Sequence, residues 1–335
     1  MINPNRLLEL PDFTSTLPFI NESNFEDIAL ELFRFQYKNN LLYQTYVNNL
    51  GKDIALVKSL DTIPFLPIRF FKSHKVISGS WKPETIFTSS ATGGTGASRH
   101  YVWSLDFYLK TATAIFQNFY GPTKDYHFLA LLPSYLERSG SSLIAMIDHF
   151  IKMDASGHSG FYLDNHEALL SKIKSLKKSD RKILLWGVSF ALLDLAEKTE
   201  IDLSPCIVME TGGMKGRRKE WVREELHFFL SQRFNLNEIN SEYGMTELFS
   251  QAYSKRQGYF EPPPWMKILI RDLNDPFQCL AQGRIGGVNV IDLANAHSCA
   301  FIETEDLGRT TQNLNFEILG RIDNSDIRGC NLLVG

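Results

Sequence analysis

At 335 residues, with 44% hydrophobic content and a formal net charge of −3, the chain can bury a sizeable core in one large domain or about two smaller ones. Near-neutral charge, with basic residues gathered only at Arg217-Arg218-Lys219, argues against nucleic acid or an anionic membrane as the main partner. Cys206, Cys279, Cys299 and Cys330 lie far apart with no C-x-x-C pair, against a zinc site or disulfide framework, and neither a signal pattern nor an apolar run of membrane-spanning length is present, so the expectation is a cytoplasmic protein.

Residues 24–49 carry apolar positions at helical spacing, with Asn24 placed to cap. Residues 63–73 mix two prolines with bulky aromatics and read as an irregular or edge-strand segment. A stretch of hydroxyls and glycines follows, Thr88-Ser89-Ser90-Ala91-Thr92-Gly93-Gly94-Thr95-Gly96-Ala97-Ser98-Arg99. Its glycines let backbone N–H groups turn inward, its hydroxyls add donors and Arg99 adds charge, a composition suited to an anion; a solvated flexible loop is the alternative.

Ser104 caps a helix to about residue 120, ended by Gly121-Pro122; a strand at 126–132 stops at Pro133, and a helix covers 143–153. The order repeats: strand 181–186, helix from Ser189, strand 205–210, turn 211–216, helix 219–234, short strand 238–241. Alternation of that length predicts an α/β fold with a parallel sheet, whose ligands sit beyond the carboxyl ends of the strands. From about residue 262 the pattern changes to short strands, 266–271, 287–293, 299–303 and 316–319, expected to form a small β subdomain.

Four polar turns call for one explanation: the loop at 88–99, Glu210-Thr211-Gly212-Gly213-Met214-Lys215-Gly216, Asn240-Ser241-Glu242-Tyr243-Gly244-Met245-Thr246-Glu247, and Thr304-Glu305-Asp306-Leu307-Gly308-Arg309. In this order, followed by Gly320-Arg321-Ile322-Asp323, they resemble the adenylate-forming superfamily of acyl- and aryl-CoA ligases, firefly-type luciferases and peptide-synthetase adenylation domains. The most specific match is Tyr243-Gly244-Met245-Thr246-Glu247, the superfamily's Y-G-x-T-E. The resemblance implies a large domain over residues 1–319, its β subdomain from about 262, and a hinge remnant and tail over 320–335.

The implied chemistry turns a carboxylate into a mixed anhydride with ATP. Carboxylate and triphosphate repel, so the site must hold the phosphates with donors and Mg2+ while aligning the acyl oxygen with the α-phosphorus. Thr88, Ser89, Ser90, Thr92, Gly93, Gly94, Thr95 and Gly96, with Arg99, form the expected phosphate cradle. By the resemblance, Thr246 contacts the α-phosphate, Glu247 ligates magnesium, Asp306 accepts from the ribose hydroxyls, Arg321 reaches ribose or phosphate, and Asp323 marks the hinge. Gly212, Gly213, Tyr243 and Gly244 belong to the turns around the nucleotide, with Tyr243 flanking the base.

Alternatives stand beside these roles. Glu210 is either a core-edge hydrogen-bonding acid or a ligand, Tyr243 is either a base contact or packing, and Arg309 closes a turn with Asp306. His127, His149 and His158 read as structural, and Cys206, Cys279 and Cys299 as buried and inert.

The loop departs from the superfamily's T-S-G-T-T-G pattern at Ser90 and Ala91, and the chain given ends at Gly335, where the superfamily continues into a lid with a catalytic lysine. The expectation is a form without that lid, which resembles the bacterial LuxE-like acyl-protein synthetases of fatty-acid reductase. In that group the acyl-adenylate passes to an enzyme cysteine and then to a reductase partner. Cys330 matches that cysteine, with Arg328 beside it to lower a thiol pKa; an incidental terminal cysteine is the alternative. The reading is thus an acyl-protein synthetase acting on a fatty acid. The rivals are an aryl- or acyl-CoA ligase of the phenylacetate-CoA-ligase type, serving coenzyme A or a carrier protein, and a non-catalytic nucleotide-binding scaffold subunit.

Overall fold

The computed structural model describes residues 15–89, 96–132, 140–198, 201–212, 221–311 and 314–322. Two helices, α1 (Phe25–Asn39) and α2 (Leu41–Asn49), are separated at Asn40, whose side chain accepts from Tyr43 N at 3.1 Å and so caps the second. Asn24 does not cap α1 as expected: its Oδ1 accepts from Asn21 N at 2.8 Å and its amide donates to Phe19 O. The aromatic, proline-bearing segment forms a two-residue strand β1 (Leu66–Pro67), then a short helix α3 (Phe70–Ser73) that buries Phe71.

The hairpin β2 (Thr85–Thr88) and β3 (Arg99–Val102) flanks the glycine-rich stretch, pairing Thr88 with Arg99. It leads into α4 (Leu105–Tyr120), capped by Ser104 Oγ and ended by Gly121 at φ 85°. There follow β4 (Tyr126–Leu131), α5 (Ser142–Met153), β5 (Gly160–Phe161), α6 (His166–Leu176), β6 (Lys182–Val188), α7 (Ser189–Lys198), β7 (Cys206–Thr211), α8 (Arg223–Phe234), β8 (Asn240–Tyr243) and β9 (Ala252–Ser254). These strands make a sheet of order β5-β4-β6-β7-β8-β9, parallel except for the β8/β9 edge. Burial along all of β4 and along β6 after Lys182 is what helices on both faces require.

The second sheet is built from β10 (Met266–Arg271), β11 (Gly286–Asp292), β12 (Phe301–Thr310) and β13 (Phe316–Arg321), in the order β1-β12-β11-β10 with β13 also on β12. It recruits β1 from the amino-terminal part, parallel to β12. One reading is corrected here. Thr304 to Arg309 is not a turn but the second half of β12, which bends at an irregularity between Leu307 and Gly308. Glycine is required at 308, where a Cβ would meet Glu317 O and, at 2.8 Å, Val288.

Candidate nucleotide and acid site

The parallel strand β8 runs into the Tyr-Gly-Met-Thr-Glu turn. Gly244 has no tolerance for a side chain, since a Cβ there would collide with Glu242 Oε1 and lie 3.4 Å from Gln251 Cγ. The turn is held from outside. Asn295 Nδ2 donates to Glu247 O at 2.8 Å, His100 Nδ1 lies 2.8 Å from Thr246 O, and His100 Nε2 lies 3.0 Å from Asn295 Oδ1. Asp292 then takes the next residues, accepting from Phe249 N, Ser250 N and Ser250 Oγ at 2.7–2.9 Å. Backbone carbonyls tied down in this way leave the Thr246 and Glu247 side chains with a fixed origin.

The antiparallel sheet brings Asp306 and Arg321 to the same place. They are register partners on β12 and β13, with Arg321 Nε 4.0 Å from Asp306 Oδ1 and Arg321 Nη2 3.1 Å from Glu305 Oε2. Asp306 Oδ2 accepts from the Tyr243 hydroxyl at 2.8 Å. The Tyr243 ring lies against Phe316 and Phe260, with centroids 5.4 and 5.8 Å away, so the residue both packs and presents a polar handle.

Glu247 is 5% exposed. Burial raises its carboxyl above the usual range, a Ser98 hydrogen bond and Arg321 oppose this, and Asp306 adds to it. Asp306 is likewise raised by burial, against the Tyr243 hydrogen bond and the nearby Arg321 and Arg223. Two shielded carboxylates that disfavour each other's charge, with a guanidinium alongside, form a site that a cation stabilises. Magnesium takes hard carboxylate oxygen, which Glu247 would offer it; among the described residues no three carboxylate, imidazole or thiol ligands gather around one point.

The glycine-rich stretch is described only at its ends. Thr88 N donates to Gly140 O at 2.7 Å, Ser89 N donates to Ser98 O at 3.1 Å, and Ser98 N donates back to Ser89 Oγ at 2.9 Å. Gly96 adopts φ 82°, in the left-handed region. Ser90, Thr92, Gly93, Gly94 and Thr95 lie outside the described residues, as do Gly213, Asp323 and Cys330. Arg99 is exposed and alternates along β3 with His100, which is fully buried against the Thr246 turn. Ser98, through its bond to Glu247, and His100 therefore connect this stretch to the Tyr-Gly-Met-Thr-Glu turn.

Glu210, at the end of β7, is buried among polar groups, accepting from Ser189 Oγ and, at 3.2 Å, from Ser241 Oγ, with His227 at 3.8 Å and Arg223 at 4.0 Å. Burial works against its charge, yet His227, Arg223 and Ser189 together hold its carboxyl below the usual range. Of the two readings of Glu210, the hydrogen-bonded core-edge acid describes this arrangement. Gly212, next in the turn, is exposed at φ 73° and accepts from Ser189 Oγ at 3.3 Å. Arg309 does not close a turn with Asp306; it pairs with Glu317 on β13. Cys206 and Cys299 are buried, with thiols pushed up to about 12 by burial, in keeping with inert packing. His127 is also structural, buried near Asp154 with Nε2 2.9 Å from Ser179 Oγ.

His100, Asn295, Asp292 and Arg223 escape a motif search. The contacts of His100 with Asn295, Asp292 with Phe249 and Arg223 with Ile318 span 195, 43 and 95 residues of sequence, and single polar residues at such separations carry no spacing signal.

No protein-family model matches the chain. Among curated proteins it is 22% identical over 338 residues to a long-chain-fatty-acid–luciferin-component ligase of Aliivibrio fischeri, covering 92% of this chain and 86% of that protein. Among solved structures, 2-hydroxyisobutyryl-CoA ligase in its postadenylation state with 2-HIB-AMP aligns at TM-score 0.64 and 12% identity, over 89% of this chain and 67% of that one. ATP-bound MatB from Rhodopseudomonas palustris aligns at TM-score 0.52 and 15% identity, over 70% and 47%. An ATP-bound MatB–BclM chimera aligns at TM-score 0.53 and 15% identity, over 73% and 49%, so the chain spans about half the length of these MatB structures. The fold is that of the adenylate-forming enzymes, and along most of its length the sequence resembles a LuxE-like acyl-protein synthetase.

Proposed function

We propose that the chain activates a carboxylic acid with ATP as an acyl-adenylate and then passes the acyl group to a thiol, in the manner of an acyl-protein synthetase. The observation that carries this reading is the meeting of Tyr243, Glu247, Asp306 and Arg321, drawn from two sheets and the turn that follows β8, around buried carboxylates suited to a magnesium nucleotide. Thr246 orients the α-phosphate, Glu247 holds magnesium, and Asp306 accepts from the ribose while Arg321 offsets negative charge. In the activating step the acid's oxygen bonds to the α-phosphorus as the bond to pyrophosphate breaks. The cradle residues from Thr88 to Gly96, with Arg99, hold the departing phosphates.

Likeness to the Aliivibrio fischeri ligase, named for a long-chain fatty acid, supports a fatty-acid type of substrate; a cytoplasmic setting and a reductase or carrier partner complete the proposal. Cys330 is the acceptor in this reading: its thiolate attacks the acyl carbon and AMP leaves. Intact-protein mass spectrometry after incubation with ATP, magnesium and mixed acids tests it. A mass increase equal to one acyl group, absent in Cys330→Ser, is the expected result. Release of acyl-AMP with no adduct on the protein would remove the acceptor role of Cys330.

A further inference from the structure

We propose that the acid activated here carries a hydroxyl group on its body, recognised by polar atoms on the face of the parallel sheet that meets α4 and α5. The inference rests on the adenylation reading and narrows its substrate. Cross-strand register sets Val188, Thr211, Glu242 and Tyr253 in one row, with Trp186 two residues before Val188 and Gln251 two before Tyr253. Side chains two apart on a strand share a face, so Trp186 points the way of the row; Gln251 precedes β9, and its Cγ and Glu242 Oε1 both border the position a Gly244 Cβ would take. Thr211 Oγ1 donates to Glu242 Oε2, and the Trp186 and Tyr253 rings are 6.2 Å apart, which confirms the common face.

Three polar atoms of this group have no hydrogen-bond partner among the described residues: Trp186 Nε1, Tyr253 Oη and Gln251 Oε1. Their residues are 1%, 1% and 4% exposed. Buried polar atoms are nearly always paired, and an orphan costs its full desolvation. The three differ in kind: the indole N–H donates, the amide oxygen accepts, and the phenol does either. A hydroxyl both donates and accepts, so one group answers this mixture, whereas an unsubstituted alkyl chain leaves each atom unpaired.

The row also reaches the turn that carries Thr246 and Glu247. A Cβ on Gly244 would collide with Glu242 Oε1 and lie 3.4 Å from Gln251 Cγ, so these two side chains border the turn where the proposed acid is activated. Phe116 and Phe150 close the aromatic wall, with ring centroids 6.4 and 6.2 Å from Trp186.

The test is acid-dependent pyrophosphate exchange with matched pairs: 4-hydroxybenzoate and benzoate, 12-hydroxydodecanoate and dodecanoate. In at least one pair kcat/KM is expected to favour the hydroxylated member about tenfold or more. Tyr253→Phe or Trp186→Phe should reduce that ratio severalfold. Each removes an unpaired group, so melting temperatures should not fall for Tyr253→Phe, which separates lost recognition from lost folding. A preference for the unsubstituted acid in every pair, or a hydroxyl preference untouched by both variants, overturns the inference while leaving adenylation standing; buried waters then satisfy the three atoms. Absence of exchange with every acid overturns both.

Discussion

The Tyr243 hydroxyl donates to Asp306 Oδ2 at 2.8 Å, so the end of the parallel sheet and the bend of the antiparallel one are joined at this point by a single hydrogen bond. Around it the candidate site is assembled from segments that share no local sequence pattern. Tyr243→Phe keeps the ring on Phe260 and Phe316 and removes only the bond. Asp306 then lacks its donor, and the expected cost is about 1–2 kcal/mol. Thermal melting should show a fall of a few degrees, and the KM for ATP should rise severalfold as Asp306 loses its fixed orientation.

His100 and Asn295 act as one positioning unit for the Thr246–Glu247 backbone. Asn295 Nδ2 is committed to Glu247 O, which turns its Oδ1 toward the imidazole. His100→Phe and Asn295→Leu should each lower kcat of the adenylation half-reaction about tenfold or more, with smaller changes in the KM for ATP. In a double-mutant cycle the two should be non-additive by about 1 kcal/mol or more. Additive losses would mean independent packing roles.

Glu242 gives a pH dependence with a definite sign. Burial raises its carboxyl to about 7 from 4.5, with Thr211's hydroxyl opposing and Glu210 adding to the rise. Between those values the folded chain keeps a proton that the unfolded chain releases. The contribution to stability is therefore complete below about pH 4.5 and lost as pH rises through about 7, amounting to roughly 3 kcal/mol. Glu242→Gln cannot ionise but still accepts from Thr211. It should match the parent near pH 4 and exceed it in denaturant-measured stability by up to about 3 kcal/mol at pH 8.

Magnesium nucleotide should stabilise the fold through Glu247. At a free ligand concentration about 100 times Kd the gain is about 2.7 kcal/mol, visible as a rise in melting temperature with ATP plus magnesium. Glu247→Gln should lose most of the magnesium-dependent part while retaining a shift from ATP alone. An undiminished magnesium effect in that variant would place the ion on other ligands.

The parallel sheet is legible in the sequence because β4 and β6 are mostly apolar runs, broken only by His127 and by Lys182 at the start of β6, and are separated by capped helices, a pattern that burial on both faces imposes. β12 is not, because the half carrying Thr304 to Arg309 is polar and half-buried, and its Asp and Gly imitate a turn while serving a bend in the strand. The helix α6 is masked by its charged outer face, with only Leu169, Ile173 and Leu176 fully buried. Within the site, Tyr243, Thr246, Glu247, Asp306 and Arg321 announce themselves through motifs. His100 does not, since its partner Thr246 is 146 residues away and only the β2/β3 hairpin brings the two together. Arg309 was open to misreading for a related reason: two acids, Asp306 and Glu317, compete for it, and only the β12/β13 register selects Glu317.

The most direct test of the central claim is ATP–pyrophosphate exchange as a function of added carboxylic acid, run on the parent chain and on Glu247→Gln. The account predicts exchange that requires both an acid and magnesium and that falls about 100-fold or more in the variant. ATP binding without exchange for any acid, fatty or aromatic, hydroxylated or plain, would contradict it.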